Sequence, residues 1–140
     1  MGSYRYGSRL MVDWSDFEVT MEEGETAEDI GATITLSIEN TSRLDGADVV
    51  QIYVSQIAPS LRRPLKELKG FQKVFLRAGE KKTVSIRLDK LAFCYWNDKT
   101  ARWVAEMGEF DFMAGRSARE GDVVTKSRVR LNKTCTWTGL

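Results

Sequence analysis

Residues 33–39 read Thr-Ile-Thr-Leu-Ser-Ile-Glu, with an apolar side chain at every second position. A period of two is that of a β-strand, so this stretch predicts a strand with Ile34, Leu36 and Ile38 on one buried face. The following residues, 40–46, read Asn-Thr-Ser-Arg-Leu-Asp-Gly and are rich in turn formers. We therefore predict a strand that ends in a turn.

The same alternation recurs further along the chain, and no stretch shows a helical period of useful length. The apolar positions of the predicted strands are Val50, Ile52 and Val54, then Val84, Ile86 and Leu88, then Phe110, Phe112 and Ala114, and finally Val129 and Leu131 within 123–131. Turn-forming residues at 78–80, 96–98 and 107–109 separate them. The irregular connection 60–70 is expected to cover Leu65 and Leu68. Short strands separated by turns indicate an all-β sandwich or barrel.

Composition limits the functions that the chain can perform. The 140 residues suffice for one domain, and the 21 Lys and Arg balance 20 Asp and Glu, which argues against a nucleic-acid or membrane partner. The chain has no histidine, so it lacks the commonest general base and zinc ligand. The carboxylates of residues 22–29 lack the spacing of a calcium loop and favour a solvated loop. We predict no metal site, no cofactor and no catalytic residue, and whether Cys94 and Cys135 are bonded stays open.

One long motif identifies a family. Residues 64–74, Pro-Leu-Lys-Glu-Leu-Lys-Gly-Phe-Gln-Lys-Val, with Ala78-Gly79-Glu80 after them, resemble the C-terminal fibronectin type III-like domain of family 3 glycoside hydrolases, the β-glucosidase and β-xylosidase group. Residues 45–54 and 102–110 fit the same family. The resemblance implies an immunoglobulin-like β-sandwich of about seven strands, and periodicity alone adds an extra C-terminal strand. Arg116 departs from the pattern, because the family usually has a small residue there.

The resemblance also implies a role without catalysis. In that family the catalytic nucleophile and the acid/base belong to other domains, so no catalytic residue is carried over to this chain. We expect an accessory domain over residues 11–140 that packs against and stabilises the catalytic domains of its parent enzyme. Residues 1–10 would be a linker, the end of a preceding domain or a cloning remnant. Localisation is left open, with a slight preference for an extracellular protein.

Two alternatives stay open beside that role. The domain could be a binding module that attaches the enzyme to cell-wall polysaccharide or lignin through exposed aromatic side chains. It could also be an independent interaction protein, because sandwiches of this kind serve many functions.

Two groups of residues are candidates for contact with a partner. Trp96 and Trp103 flank a predicted turn and would form a cross-strand pair, while Tyr53 lies either on a second buried face or at an interface. Arg62, Arg63, Lys66 and Lys69 form a basic stretch that could dock on an acidic surface. A solvated edge strand is the other interpretation of these charges, because edge strands often carry lysine.

Overall fold

The computed structural model describes residues 3–6, 10–60, 66–116 and 123–139, with side chains from residue 11 onward. Its strands are β1 Ser3–Tyr6, β2 Leu10–Glu22, β3 Gly31–Asn40, β4 Gly46–Gln56, β5 Glu67–Leu76, β6 Lys81–Asp89, β7 Cys94–Asn97, β8 Arg102–Ala105, β9 Gly108–Gly115, β10 Val123–Leu131 and β11 Cys135–Trp137. Two short 3-10 helices lie at Ala27–Asp29 and Lys90–Ala92. Within the described ranges, no helix has the length and hydrophobicity that crossing a bilayer requires.

The strands form three antiparallel sheets. Sheet A has the order β1-β2-β3-β6, sheet B the order β10-β9-β4-β5, and sheet C the order β11-β8-β7. Apolar side chains of sheets A and B enter one hydrophobic core, which sheet C extends through Cys94 and Ala105. The described strands outnumber the predicted seven because β7, β8 and β11 are too short for alternation to show them. The predicted all-β sandwich is confirmed.

The predicted buried faces are confirmed strand by strand. Ile34, Leu36 and Ile38 are at most 1% exposed, and Phe110, Phe112 and Ala114 are fully buried. The predicted C-terminal strand is β10, with Leu131 buried at its end. Alternation identified these faces because side chains of a strand point to opposite sides of its sheet in turn.

The prediction for Leu68 is wrong, because this side chain is 49% exposed instead of covered by the 60–70 connection. The pairing of β4 with β5 shifts at this point: Gly70 lies opposite Ile52, but Leu68 lies opposite Tyr53. Residues Glu67–Leu76 form the strand β5 rather than an irregular connection, and the bulge leaves one residue of that strand without a partner, so Leu68 lies on an exposed strand instead of beneath a loop. Leu65 and its neighbours at 61–64 lie outside the described residues.

A buried ion pair ties the two large sheets together. The Asp48 carboxylate on β4 accepts hydrogen bonds from Arg116 Nε and Nη2, with Nη2 2.6 Å from Oδ2. It also accepts one from the Trp14 indole on β2, at 3.1 Å. The Arg116 guanidinium lies 4.9 Å from the centre of the Trp14 ring. Arg116, the departure from the family pattern, is therefore the partner of a carboxylate that would otherwise be buried without a counter-charge.

The two cysteines are free thiols. Cys94 and Cys135 both lie opposite Ala105, on the two strands that flank β8. They are therefore two strand spacings apart, about 10 Å between their Cα atoms. A disulfide needs a Cα separation below about 7 Å, so this arrangement does not allow a bond between them.

Candidate interaction surfaces

A groove with both apolar and charged lining residues lies where the edge strands of sheets A and B approach each other. We call it the β5 groove; it consists of two adjoining depressions of about 490 and 460 Å³. Its lining residues are Leu68, Lys69, Gly70, Phe71, Ile86, Arg87, Leu88, Asp89, Leu91 and Ala92. Leu68, Phe71 and Leu91 are 49%, 70% and 42% exposed. Large apolar side chains exposed next to one another on a folded domain mark an interaction surface.

Gly70 brings the two edges close together. A Cβ at this position would lie 2.9 Å from Leu88 Cδ2 and 3.5 Å from Ile86 Cγ2, so β5 approaches the side chains of β6 nearly in contact. Neither β5 nor β6 has a second strand partner among the described residues. The groove therefore combines an aliphatic floor with backbone edges that remain open to a partner.

The two basic side chains of the groove are already paired within the domain. Lys69 lies 3.6 Å from Glu67, and the Arg87 guanidinium donates to both carboxylate oxygens of Glu22. Of the predicted basic stretch, Lys69 lines the groove, whereas Lys66 lies over the Tyr53 ring at 6.0 Å. Arg62 and Arg63 lie outside the described residues. The structure thus places the two described lysines in different surroundings.

Tyr53 belongs to the outer face of sheet B. It is only 7% exposed, lies opposite Leu68 and Met113, and donates its hydroxyl hydrogen to the Gln51 side chain. This is the first of its two predicted settings, a second buried face on a central strand. On the same face, Phe75 is 55% exposed and stands opposite Ala47, six residues along β4 from Tyr53. Phe75 is therefore a separate exposed aromatic side chain on the outer face of sheet B.

Three tryptophans lie in register across sheet C, and we call them the tryptophan row. Trp96 stands opposite Trp103, and Trp103 stands opposite Trp137. The rings of Trp96 and Trp103 meet edge to face, with centroids 5.2 Å apart. Trp96 is 45% exposed, whereas Trp103 and Trp137 pack partly buried against the core. The predicted Trp96–Trp103 pair therefore forms.

Sequence reasoning missed Trp137 as a member of this row. Its strand β11 has only three residues, too few to show a period, and the family motif ends before it. The Lys90 ammonium lies 4.8 Å from the centre of the Trp137 ring and also pairs with Glu28. A cation above an indole ring is attracted to it, so Lys90 holds the inner end of the row in place.

The carboxylates of residues 22–29 are dispersed among separate partners. Glu22 pairs with Arg87, Glu23 accepts two hydrogen bonds from Asn132, and Asp29 accepts one from the backbone of Thr26. Within the described residues, no group of three or more Cys, Asp or Glu could hold a metal ion. The candidate sites among the described residues are the β5 groove and the tryptophan row, and both are surfaces for non-covalent contact.

Most of this chain aligns with a short segment of longer known proteins. Residues 48–118 match the family model of the fibronectin type III-like domain. The chain is 41% identical over 117 residues to thermostable β-glucosidase B of Acetivibrio thermocellus, and 38% identical over 123 residues to probable β-glucosidase H of Emericella nidulans. These matches cover 84% and 88% of this chain but only 15% of either relative.

Solved structures show the same relation. The chain superposes on β-glucosidase from Kluyveromyces marxianus in complex with glucose with a TM-score of 0.80 and 36% identity. It superposes on the GH3 β-glucosidase of Bifidobacterium adolescentis with a TM-score of 0.78 and 36% identity. These alignments cover 98% and 88% of this chain, and 16% and 17% of the other chains.

Proposed function

Because the chain belongs to the fibronectin type III-like domain family, we propose that it is a non-catalytic accessory domain of a β-glucosidase-like enzyme of glycoside hydrolase family 3. In this role it packs against the catalytic domains of its parent enzyme and stabilises them. The observation that carries the proposal is the β5 groove, whose lining residues Leu68, Phe71 and Leu91 are large, apolar and exposed. Burying such surface against a second domain lowers the free energy of the joined state.

The occupant of the groove is another part of the parent chain. The segment that matches this chain makes up 15% of the Acetivibrio thermocellus relative, so the remaining 85% belongs to other parts of that enzyme. A partner in the same chain is present at a high effective concentration, so a modest contact is enough to hold the domains together. Contacts between domains of one chain bury about 600–1,500 Å².

The groove favours a partner surface that is mainly apolar. Lys69 and Arg87 already have Glu67 and Glu22 as partners, so covering them leaves no charge without a counter-charge. Docking therefore depends on Phe71 and its aliphatic neighbours, and an acidic partner surface is not required. Lys69 of the basic stretch acts in this proposal as part of the polar border of that contact.

We assign residues 11–140 to the domain itself. Ser3–Tyr6 pairs antiparallel with β2, so the segment that approaches the domain lies along the edge of sheet A. This pairing would fix the direction in which the chain enters the domain from any preceding part of the enzyme. Catalytic domains of the parent enzyme are the expected partners, because the segment that matches this chain is a small part of each longer relative.

A chimeric enzyme tests the proposal. The matching 117 residues of the Acetivibrio thermocellus β-glucosidase are replaced by this chain, and activity and melting temperature are measured. We expect an active chimera, and we expect Phe71→Asp to lower its melting temperature by about 1 °C, because a loss of roughly 1–2 kcal/mol at the contact is divided by the large unfolding entropy of a long enzyme.

Leu44→Asp is the matched control. Leu44 is 49% exposed in the turn between β3 and β4 and lies outside the groove, so this substitution should leave the chimera unchanged. Neither substitution should destabilise the isolated chain, because both side chains are already exposed. The proposal is wrong if the Phe71→Asp chimera melts and acts like the parent chimera.

Attachment to polysaccharide or lignin is a second candidate function, and it depends on other residues. The observation that favours it is the register of Trp96 with Trp103, which presents an exposed indole on an edge strand. It would add to docking through the β5 groove, because the tryptophans do not line that groove.

A further inference from the structure

We propose that the tryptophan row is a carbohydrate-binding platform on which Trp96 stacks against a pyranose ring of a β-linked glucan. The choice of β-linked glucose rests on the proposed function, since the named relatives are β-glucosidases. The platform itself is inferred from sheet C, from the exposure of Trp96 and from the polar turn beside it.

Trp96 is exposed and yet held in place. It lies on β7, which has β8 as its only strand partner among the described residues, and its side chain is 45% exposed. Behind it, the Trp103 ring is 5.2 Å away at an interplanar angle of 67°. A side chain that is already ordered loses little conformational entropy when a ligand binds, and this favours affinity.

The inner part of the row supplies the rigidity. Trp103 and Trp137 pack against the core, and Lys90 lies over the Trp137 ring at 4.8 Å. Movement of Trp103 would therefore disturb both the core and the neighbouring ring. The three in-register indoles are therefore held in place together, and Trp96 is the solvent-accessible member of the row.

The turn beside Trp96 suits a neutral, hydroxyl-rich ligand. Asp98, Lys99 and Thr100 are exposed there, and Asn97 Oδ1 accepts a hydrogen bond from the Lys99 backbone at 3.0 Å, which orders the turn. One acidic and one basic side chain together carry no net charge, so the turn gives no preference for a polyanion. Sugar hydroxyls can donate to the carboxylate and accept from the ammonium, while the apolar face of the ring covers the indole.

Two binding measurements on the 140-residue chain test this inference. The first is depletion of the chain from solution by microcrystalline cellulose, and the second is tryptophan fluorescence during titration with cellohexaose. We expect retention on cellulose, little affected by salt, and a saturable change in fluorescence. Trp96→Ala should weaken both by about tenfold or more, as removal of a central aromatic contact does.

Two further variants separate stacking from a loss of structure. Trp96→Tyr keeps an aromatic face and should restore most of the binding, whereas Phe71→Asp removes an exposed aromatic of the β5 groove and should bind like the parent chain. The Phe71 variant is measured by the melting temperature of the chimera, whereas the Trp96 variants are measured by binding to cellulose and cellohexaose. Either proposal can therefore fail without the other.

Three results would overturn the inference. The first is absence of both cellulose retention and a cellohexaose response, and the second is equal binding by the Trp96→Ala variant, with its fold verified by circular dichroism. The third is retention on a lignin suspension alone, which would show that the platform selects aromatic polymers rather than sugars.

Discussion

Asp48 is a buried charged residue whose partners come from both large sheets of the domain. Its carboxylate is 1% exposed and accepts hydrogen bonds from Trp14, Arg116 and the backbone of Val49. A buried carboxylate is tolerated only when its charge is balanced and its oxygens are hydrogen-bonded, and here both conditions are met by side chains from β2 and from the end of β9.

We predict that Asp48→Ala lowers the free energy of unfolding by about 3–5 kcal/mol, because it leaves the Arg116 guanidinium buried without its counter-charge. Urea denaturation followed by fluorescence measures this loss. The double variant Asp48→Ala, Arg116→Met should recover part of it, since no unpaired charge then remains. A loss of less than about 1 kcal/mol would mean that solvent reaches Arg116 in the folded state.

The pairing of β9 with β10 carries an ion pair on the outer face of sheet B. Asp111 lies opposite Arg128, whose Nε and Nη2 donate to its carboxylate at 2.8 and 3.1 Å. The hydrogen bond from Arg128 lowers the pKa of Asp111 below its ordinary value of 3.8, against the opposing effect of burial. The folded state therefore favours the ionised carboxylate more strongly than the unfolded chain does.

The sign of the pH dependence follows from that lowered pKa. The stabilisation by Asp111 is fully present above the pKa of the unfolded chain, about 4, and is lost as pH falls through the lower folded pKa. Asp111→Asn should thus be less stable than the parent at pH 7, and the difference should shrink as pH falls below about 4. Arg128→Gln should show the same trend. A difference that stays constant from pH 7 to pH 2 would contradict the assignment.

β5 is the element that most directly links fold to proposed function. Its exposed aromatic residues, its lysines and the bulge at Leu68 all lie on an edge strand, where a protein normally avoids uncovered apolar surface. Phe71, at 70% exposed, contradicts that tendency unless a partner covers it. For this reason the chimera experiment is directed at Phe71.

At the scale of the whole molecule, one core connects all three sheets. Sheet C contributes Cys94 and Ala105 to it, and Trp103 and Trp137 pack against it. Small domains with a single core usually unfold in one cooperative step. Sheet C should therefore not melt separately from sheets A and B.

We expect coincident unfolding curves from two probes of the isolated chain. Far-ultraviolet circular dichroism reports the strands, and near-ultraviolet circular dichroism of a Trp14→Phe variant reports mainly the tryptophan row. The two midpoints in urea should agree because no sheet has a core of its own. A lower midpoint for the tryptophan signal would indicate instead that sheet C opens first.

The sequence by itself determined the longer alternating strands β3, β4, β6, β9 and β10 and their buried faces, because side-chain alternation is a local property that each of these strands carries in its own residues. It also predicted the Trp96–Trp103 pair, because a short turn joins the two residues. The tertiary structure alone decided the rest: the bulge that exposes Leu68, the third indole at Trp137, and the partnership of Asp48 with Arg116, 68 residues away. These features depend on the register between distant strands, which a local pattern does not encode.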